Sequence, residues 1–235
     1  MARRYYQNPL PEPGAATLRG ELVRHLAAVR LRVGDRICLF DGAGRECAAR
    51  IVAIARQTVA IEAEPVAERI GRCAVALELA VALPKGNRAE WLFEHATEIG
   101  VDRFRPILTE RTRDRGGRDR LDRWRRIVIA AAEQCDRSHL PQVDAETSLE
   151  ALLADPSLPT ERRVAAPSGV VELTGSATNR VVVCIGPEGG FTDGELAALA
   201  QAHFLPVRLG VLTLRTETAA LVAAARVLMG ARESR

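Results

Sequence analysis

One lysine, four histidines and nine aromatic residues are all that the 235 residues provide of those types. Each scarcity removes a class of chemistry. With Lys85 alone and no GxxxxGK[ST] anywhere, a P-loop that grips nucleotide phosphates is excluded. Cys38, Cys47, Cys73, Cys135 and Cys184 are an odd set without a CxxC pair. His25, His95, His139 and His203 form neither HExxH nor a paired Cys/His spacing. The expectation is no disulfide framework and no metal, with most of these residues acting as core thiols or surface imidazoles. Long apolar runs are also missing. The stretch from Ala219 to Ala225 is closed by Glu217 and Arg226, far short of the ~18 residues a membrane span needs. The opening Met1-Ala-Arg-Arg-Tyr-Tyr-Gln-Asn-Pro9 is basic and has no apolar h-region. A cytoplasmic protein without a membrane partner is expected.

What is present begins with arginine. The net charge of +3 hides a segregation: residues 103–126 carry ten basic groups, all Arg, against four acids, whereas residues 127–235 carry nine against thirteen. The planar guanidinium fork grips phosphate with two hydrogen bonds. Arg118-Asp-Arg-Leu-Asp-Arg123 also fits a solvated helix face of alternating charge. A second basic excess over residues 1–70, eleven against eight, tilts the balance toward nucleic acid.

Residues 1–68 have the pattern of a small β-rich module. Arg36–Asp41 and Arg45–Ile54 flank an Asp41-Gly-Ala-Gly44 turn, and Thr58–Ala63 alternates like a strand with one wet face. Leu22, Val23, Leu26 and Val29 have helical spacing over residues 21–30. Short strands at this pitch predict a small barrel. Gly42-Ala-Gly44 imitates a dinucleotide fingerprint, but Cys47 occupies the third glycine position and a strand pattern follows, which argues against a nicotinamide dehydrogenase. Beyond a connector at 64–71, strands and helices alternate as in a parallel α/β sheet. Strands are predicted at 75–83, 104–108, 163–167, 181–185 and 207–209. Helices are predicted at 88–99, 121–134 and 217–230, and a capping box at Thr192–Glu195, with Phe191 and Leu196 as its staple, starts another. The last helix is Ala-rich and apolar nearly all round, so it must be buried, within the domain or against another subunit.

The most informative segment is Val181-Val-Val-Cys-Ile-Gly-Pro-Glu-Gly-Gly190. A buried strand stops in a Gly/Pro turn and a helix opens directly behind it, its dipole aimed at the turn. Bare N–H and C=O groups there suit a flat polar ligand; architecture alone accounts for a lone GPxGG about as well. Together with Leu209-Gly210 and Leu214-Arg-Thr-Glu-Thr-Ala219, the segment resembles the RsmE-type 16S rRNA uridine-N3 methyltransferases of the SPOUT superfamily. The resemblance runs nearly end to end, through Arg3-Arg-Tyr-Tyr6, His25-Leu26, Val29-Arg-Leu31, Val33-Gly-Asp35, Lys85-Gly86, Ala96-Thr-Glu-Ile-Gly-Val101, Glu110-Arg111, and Glu133-Gln-Cys-Asp-Arg137. It departs from the family pattern at His95, Thr109 and Cys135-Asp136.

The resemblance implies an S-adenosylmethionine-dependent enzyme with a PUA-like RNA-binding barrel at 1–68 and a SPOUT domain at 72–235. The late strands of that domain are threaded into a trefoil knot, where glycines let chains pass closely. The cofactor residues would be Ala165, Ala166, Pro167, Ile185, Gly186, Pro187, Glu188, Gly189, Gly190, Leu209, Gly210, Leu212, Leu214 and Thr216. The substrate would be N3 of a uridine in 16S rRNA, conventionally numbered 1498, as free rRNA or in the assembled small ribosomal subunit, and the enzyme a homodimer. Methylation at N3 needs the base unpaired, its proton removed and charge on O2/O4 stabilised. Arg215 is the expected stabiliser, with a structural salt bridge to Glu217 or Glu188 as the alternative. Glu188 would accept hydrogen bonds from the cofactor or offset the sulfonium charge; a plain dipole partner is its alternative. Arg3, Arg4, Arg111, Arg113 and Arg137 would hold RNA. No residue stands out as the general base. Competing readings are a SPOUT ribose 2′-O-methyltransferase and a non-catalytic RNA-binding ribosome-assembly factor.

Overall fold

The structure, a computed structural model, describes residues 2–20, 22–23, 26, 31–69, 73–112, 118–167, 169 and 171–230. It divides into two units, residues 1–72 with 132–140, and residues 73–131 with 141–235. The division near residue 72 leaves one difference from the expected domains: nine residues from the middle of the α/β region belong to the small unit. Their hydrogen bonds explain why. Gly44 N donates to Ser138 O, Leu140 N to Gly42 O, and the Ser138 hydroxyl to Glu46.

The small unit holds β1 (Arg3–Tyr6), β2 (Gly14–Arg19), β3 (Arg36–Phe40), β4 (Arg45–Ile54), β5 (Thr58–Ala63) and β6 (Ala67–Glu68). They form one sheet in the order β1-β3-β4-β5-β2, with β6 on β4. Alternation sets its inner face: Cys47, Ala49 and Ile51 of β4 and Val59, Ile61 and Ala63 of β5 are buried, while Arg50 and Glu62 between them point to solvent. The Asp41–Gly44 turn closes the β3–β4 hairpin, with Gly42 and Gly44 at φ of 79° and 99°. Burial alone would raise the Asp41 pKa. Hydrogen bonds from Ala43 N, the Arg45 side chain and Arg45 N outweigh it, and the carboxyl titrates below its ordinary range. The helix expected at 21–30 lies mostly outside the described residues; Leu22, Val23 and Leu26 are in the core of this unit.

The large unit contains β7 (Ala76–Val81), α1 (Asn87–Ile99), β8 (Arg103–Leu108), α2 (Arg118–Gln134), β9 (Gln142–Val143), β10 (Thr147–Ser148), α3 (Leu149–Leu153), β11 (Glu161–Ala165), β12 (Val171–Glu172), β13 (Arg180–Ile185), α4 (Asp193–Gln201), β14 (Leu205–Arg208) and α5 (Thr216–Gly230). The last turn of α2 counts with the small unit. Its eight strands are parallel, in the order β10-β8-β7-β13-β11-β14-β12 with β9 on β8.

A parallel sheet needs cover on both faces, and the strand residues sort accordingly. Leu77, Leu79 and Val81 of β7, and Val181, Val183 and Ile185 of β13, enter a core shared with α1, α2 and α5. Ala80, Val182 and Cys184 face the opposite core beneath α3 and α4. On the first face Phe93 packs edge-on to Phe104 at 4.7 Å and stacks on Trp124 at 5.0 Å. The apolar surface of α5 is largely consumed inside this unit, through Ala219, Ala220, Ala223, Ala224 and Val227.

Part of the arginine cluster is structural. Arg105, 4% exposed, is clamped by Glu78 at 2.5 Å and Asp155 at 2.7 Å, and Arg180 approaches Glu78 at 2.8 Å. Hydrogen bonds from Ser157 N, the Ser157 hydroxyl and Arg105 bring the Asp155 pKa down to about 2.

The late strands do not follow chain order. β14 lies between β11 and β12, hydrogen-bonded to both, although residues 166–170 alone join those two strands. That short connection therefore crosses the chain of β14. Ala166 N donates to Val207 O and Leu173 N to Arg208 O on either side of the crossing. The crowding falls on Gly169, where a Cβ would stand 2.5 Å from the Val207 carbonyl carbon and 2.7 Å from Arg208 N. At the glycines of the ligand turns the nearest atoms to an added Cβ are side chains or none, not crossing backbone. Their nearest neighbours are the Phe191 ring at Gly186, the Arg111 side chain at Gly189 and Gly190, and nothing within 4 Å at Gly210. Gly169→Ala is expected to force the two chains apart and cost about 1–3 kcal/mol, read as a lower urea midpoint at unchanged slope; a wild-type midpoint would contradict the crossing.

Candidate active site

The candidate site is set by register. Ala165 pairs with Ile185 on one side and Val207 on the other, and Val81 pairs with Ile185. Four parallel strands thus end in line, and the turns after β11, β13 and β14 leave from one edge of the sheet. Ligands of open parallel sheets bind at such carboxyl ends. The expected residues Ala165–Pro167, Ile185–Gly190 and Leu209–Leu214 are brought together at this edge. Ile185 and Ala166 are buried; Pro167, Glu188 and Gly189 are exposed.

The glycine turn is held from three directions. Gly190 N donates to Pro187 O at 2.8 Å, and Gly190 adopts φ 71°, which a side chain rarely tolerates. The Thr216 hydroxyl, at the start of α5, donates to Gly186 O at 3.2 Å. The Arg111 guanidinium donates to Gly189 O and lies 3.4 Å from Gly190 O and 3.5 Å from Phe191 O. Behind the turn, Thr192 and Glu195 form a complete capping box. Glu195 does more than cap: one carboxylate oxygen accepts from Thr192 N and the other from Glu110 N, both at 2.8 Å. The segment carrying Arg111 and the glycine turn therefore share one buried acid.

Of the two residues expected to act in catalysis, Glu188 pairs with Arg88 at the start of α1. Arg215 is exposed and makes no ion pair or side-chain hydrogen bond among the described residues. The alternative salt bridge to Glu217 or Glu188 is thus not formed. Leu209 and Leu214 rest on the core, while Val211 and Leu212 between them are 95% and 80% exposed.

The expected RNA contacts separate. Arg4 is 7% exposed; its guanidinium lies 2.9 Å from Glu46, 3.6 Å from Asp136 and 2.6 Å from the Ser138 hydroxyl, with its charge over the Phe40 ring. This corrects the expectation of an RNA contact, because so enclosed a charge cannot reach a phosphate. Arg137 donates to His139 O at 2.6 Å, Arg3 is exposed, and Arg113 lies outside the described residues. Arg111 binds the glycine turn. In the cluster at 103–126, Arg103 and Arg105 face internal acids, whereas Arg123, Arg125 and Arg126 on α2 are exposed, Arg123 beside Glu90 and Arg125 beside Asp122.

Sequence reasoning missed Arg88, the shared Glu195 and the buried state of Glu217, which is 6% exposed with Oε2 lacking any hydrogen-bond partner. A groove of about 720 Å³ opens between the end of β8, α3 and the start of α4, and none of the expected cofactor residues line it. The shared edge of strand ends is the better candidate, since turns from three strands converge there, whereas the groove is a shallow seam between helices.

Residues 72–228 match a family model described as an RNA methyltransferase domain, and residues 18–64 match an RNA methyltransferase PUA domain. The chain belongs to the ribosomal RNA small subunit methyltransferase E family. The member from Mycobacterium tuberculosis is 35% identical over 95% of this chain and 90% of its own length, and that from Synechocystis 34% over 85% and 67%. Among solved structures, the Neisseria gonorrhoeae family member bound to S-adenosylmethionine superposes with a TM-score of 0.89 at 29% identity, covering 96% of each chain. A methyltransferase from Legionella pneumophila in complex with the same cofactor gives 0.87 at 28%, also covering 96% of each. The fold is therefore the SPOUT-type parallel sheet with an N-terminal PUA domain.

Arg111→Ala is expected to leave global stability within about 1 kcal/mol while amide exchange across 186–192 speeds up roughly tenfold, as the charged hydrogen bonds to the turn are removed. Hydrogen-exchange mass spectrometry reads this directly, and unchanged protection would remove Arg111 from the site.

Proposed function

We propose that this chain transfers the methyl group of S-adenosylmethionine to N3 of a uridine in 16S rRNA, the one conventionally numbered 1498. The observation that carries the reading is the convergence of three turns at one sheet edge, in a chain whose family relatives were crystallised with that cofactor. The residues present fit such a ligand. The edge offers backbone groups of a glycine turn and exposed apolar side chains at Val211 and Leu212. Ala165–Pro167, Ile185–Gly190 and Leu209–Leu214 would hold the cofactor, which supplies an electrophilic methyl group on a sulfonium.

The chain's own contribution is positioning and charge. Thr216 and Arg111 fix the glycine turn, so the cofactor residues are set before substrate arrives. Arg215, with no internal partner, is free to stabilise negative charge on uracil O2 or O4 as the N3 proton leaves. Arg123, Arg125 and Arg126 on α2 offer a phosphate-binding face. Glu188, already paired with Arg88, is better suited to fixing the turn against α1 than to meeting the cofactor.

Three measurements test the reading. Purified enzyme with S-adenosylmethionine and 16S rRNA or small subunits should create a single reverse-transcription stop at the target uridine. Arg215→Ala should cut kcat about 10²–10³-fold with unchanged cofactor affinity; a wild-type rate would remove Arg215 from the mechanism. Reversing Arg123, Arg125 and Arg126 to Glu should make the dependence of log affinity on log salt shallower, by up to roughly 0.7–0.9 for each phosphate no longer neutralised. An unchanged slope would place the RNA elsewhere.

A further inference from the structure

The described residues of the large unit bury three carboxylates: Glu78, Glu195 and Glu217. Two are saturated. Glu78 meets Arg105 and Arg180 through its two oxygens, and Glu195 accepts from Thr192 N and Glu110 N. Glu217 alone has a buried oxygen, Oε2, without any hydrogen-bond partner. A buried carboxylate oxygen without a partner is costly to keep, and a catalytic role is one of the few reasons native proteins retain such a group.

Its place in the fold says which ligand group. Glu217 stands in the first turn of α5, directly after Thr216, which is tied to Gly186 O, and two residues after the unpartnered Arg215. The reaction proposed above has one proton that must leave, the N3–H of uracil, and the methyl donor's sulfonium needs no proton acceptor. Glu188, the other acid at this edge, is committed to Arg88.

We infer that Glu217 is the general base: its Oε2 accepts the N3–H and takes the proton as methylation proceeds. This rests on the uridine-N3 reading. In balance, the N3–H bond breaks and its proton goes to the Glu217 carboxylate. N3 forms the new bond to the methyl carbon, and the pair from the broken C–S bond stays on sulfur. The sulfonium charge and the carboxylate charge disappear together. Arg215 and Glu217 then divide the work: the guanidinium stabilises the uracil oxygens while the carboxylate removes the proton.

The test is Glu217→Gln, which keeps the shape and removes the base. The expected result is a melting temperature at or above wild type, S-adenosylmethionine Kd within about twofold, and kcat down about 10²–10⁴-fold on 16S rRNA. The deficit should shrink on rRNA transcribed with 5-fluorouridine, whose N3–H is more acidic and needs less help to leave. Glu217→Met, of similar volume and without side-chain oxygen, gives the same readings should the Gln variant fail to fold. A kcat within about threefold of wild type overturns the inference. So does a cofactor Kd that weakens in step with kcat, which would make Glu217 a cofactor ligand, or an equal deficit on both RNAs, which would make it structural. If the wild-type enzyme leaves every 16S rRNA uridine unmethylated at N3, the proposed function fails; an active wild type with an equally active Gln variant removes only the base.

Discussion

Residues 166–170 bridge β11 and β12 across the chain of β14, and the candidate site depends on that crossing. Because β14 is lodged between two strands laid down earlier, its end cannot drift from theirs, and the turn at 209–215 is delivered beside those at 166 and 186. The closest approach is between backbones, at Gly169 and Val207–Arg208, so alignment is set by sterics that cannot relax through side-chain rotamers. Thr216 and Arg111 then fix hydrogen bonds on a frame already in place. Preorganisation of this kind suits a transfer reaction in which placing two reactants in line is most of the task.

The sheet separates its functions by edge. Toward the strand starts lie the ion pairs of Arg105 and Arg180 with Glu78, and of Arg103 with Asp144. These charges are paired, and pairing is what permits the burial of Arg105 and Glu78. At the strand ends the polar groups are open: bare turns, an unpartnered arginine and one orphaned carboxylate oxygen. Saturation at one edge beside deficiency at the other is how a rigid scaffold presents a reactive rim.

Much of this was legible in the residues because it is local. The capping box occupies four positions, the Asp41–Gly44 turn four more, and β13 is a β-branched run ended by Gly-Pro; each carries its own signature. The succession of strand and helix patterns beyond residue 71 announced a parallel α/β sheet. Non-local features were hidden. β12 is two residues long, Val171–Glu172, with no pattern to declare it. Arg4 looks like a surface cation beside Arg3, since its partners Asp136 and Ser138 are more than 130 positions away. The ten arginines at 103–126 read as one basic patch, although strand residues 103 and 105 turn inward while helix residues 123, 125 and 126 turn out. Glycine crowding was assigned to the conspicuous motif rather than to Gly169, because a chain crossing is a property of topology and leaves little trace in composition. Glu217 was weighed only as a salt-bridge partner, since burial without a partner cannot be read from a neighbouring arginine.

The excursion of residues 132–140 into the small unit bears on how the protein can be dissected. A gene fragment ending near residue 72 would encode all six strands of that unit yet omit Ser138 and Asp136, stranding the Arg4 guanidinium in an apolar setting with Glu46 as its remaining acid. The two modules are interleaved along the polypeptide, so neither is a free-standing cassette. Recombination or insertion that treats the PUA module as a portable N-terminal tag would carry away a piece missing its own keystone.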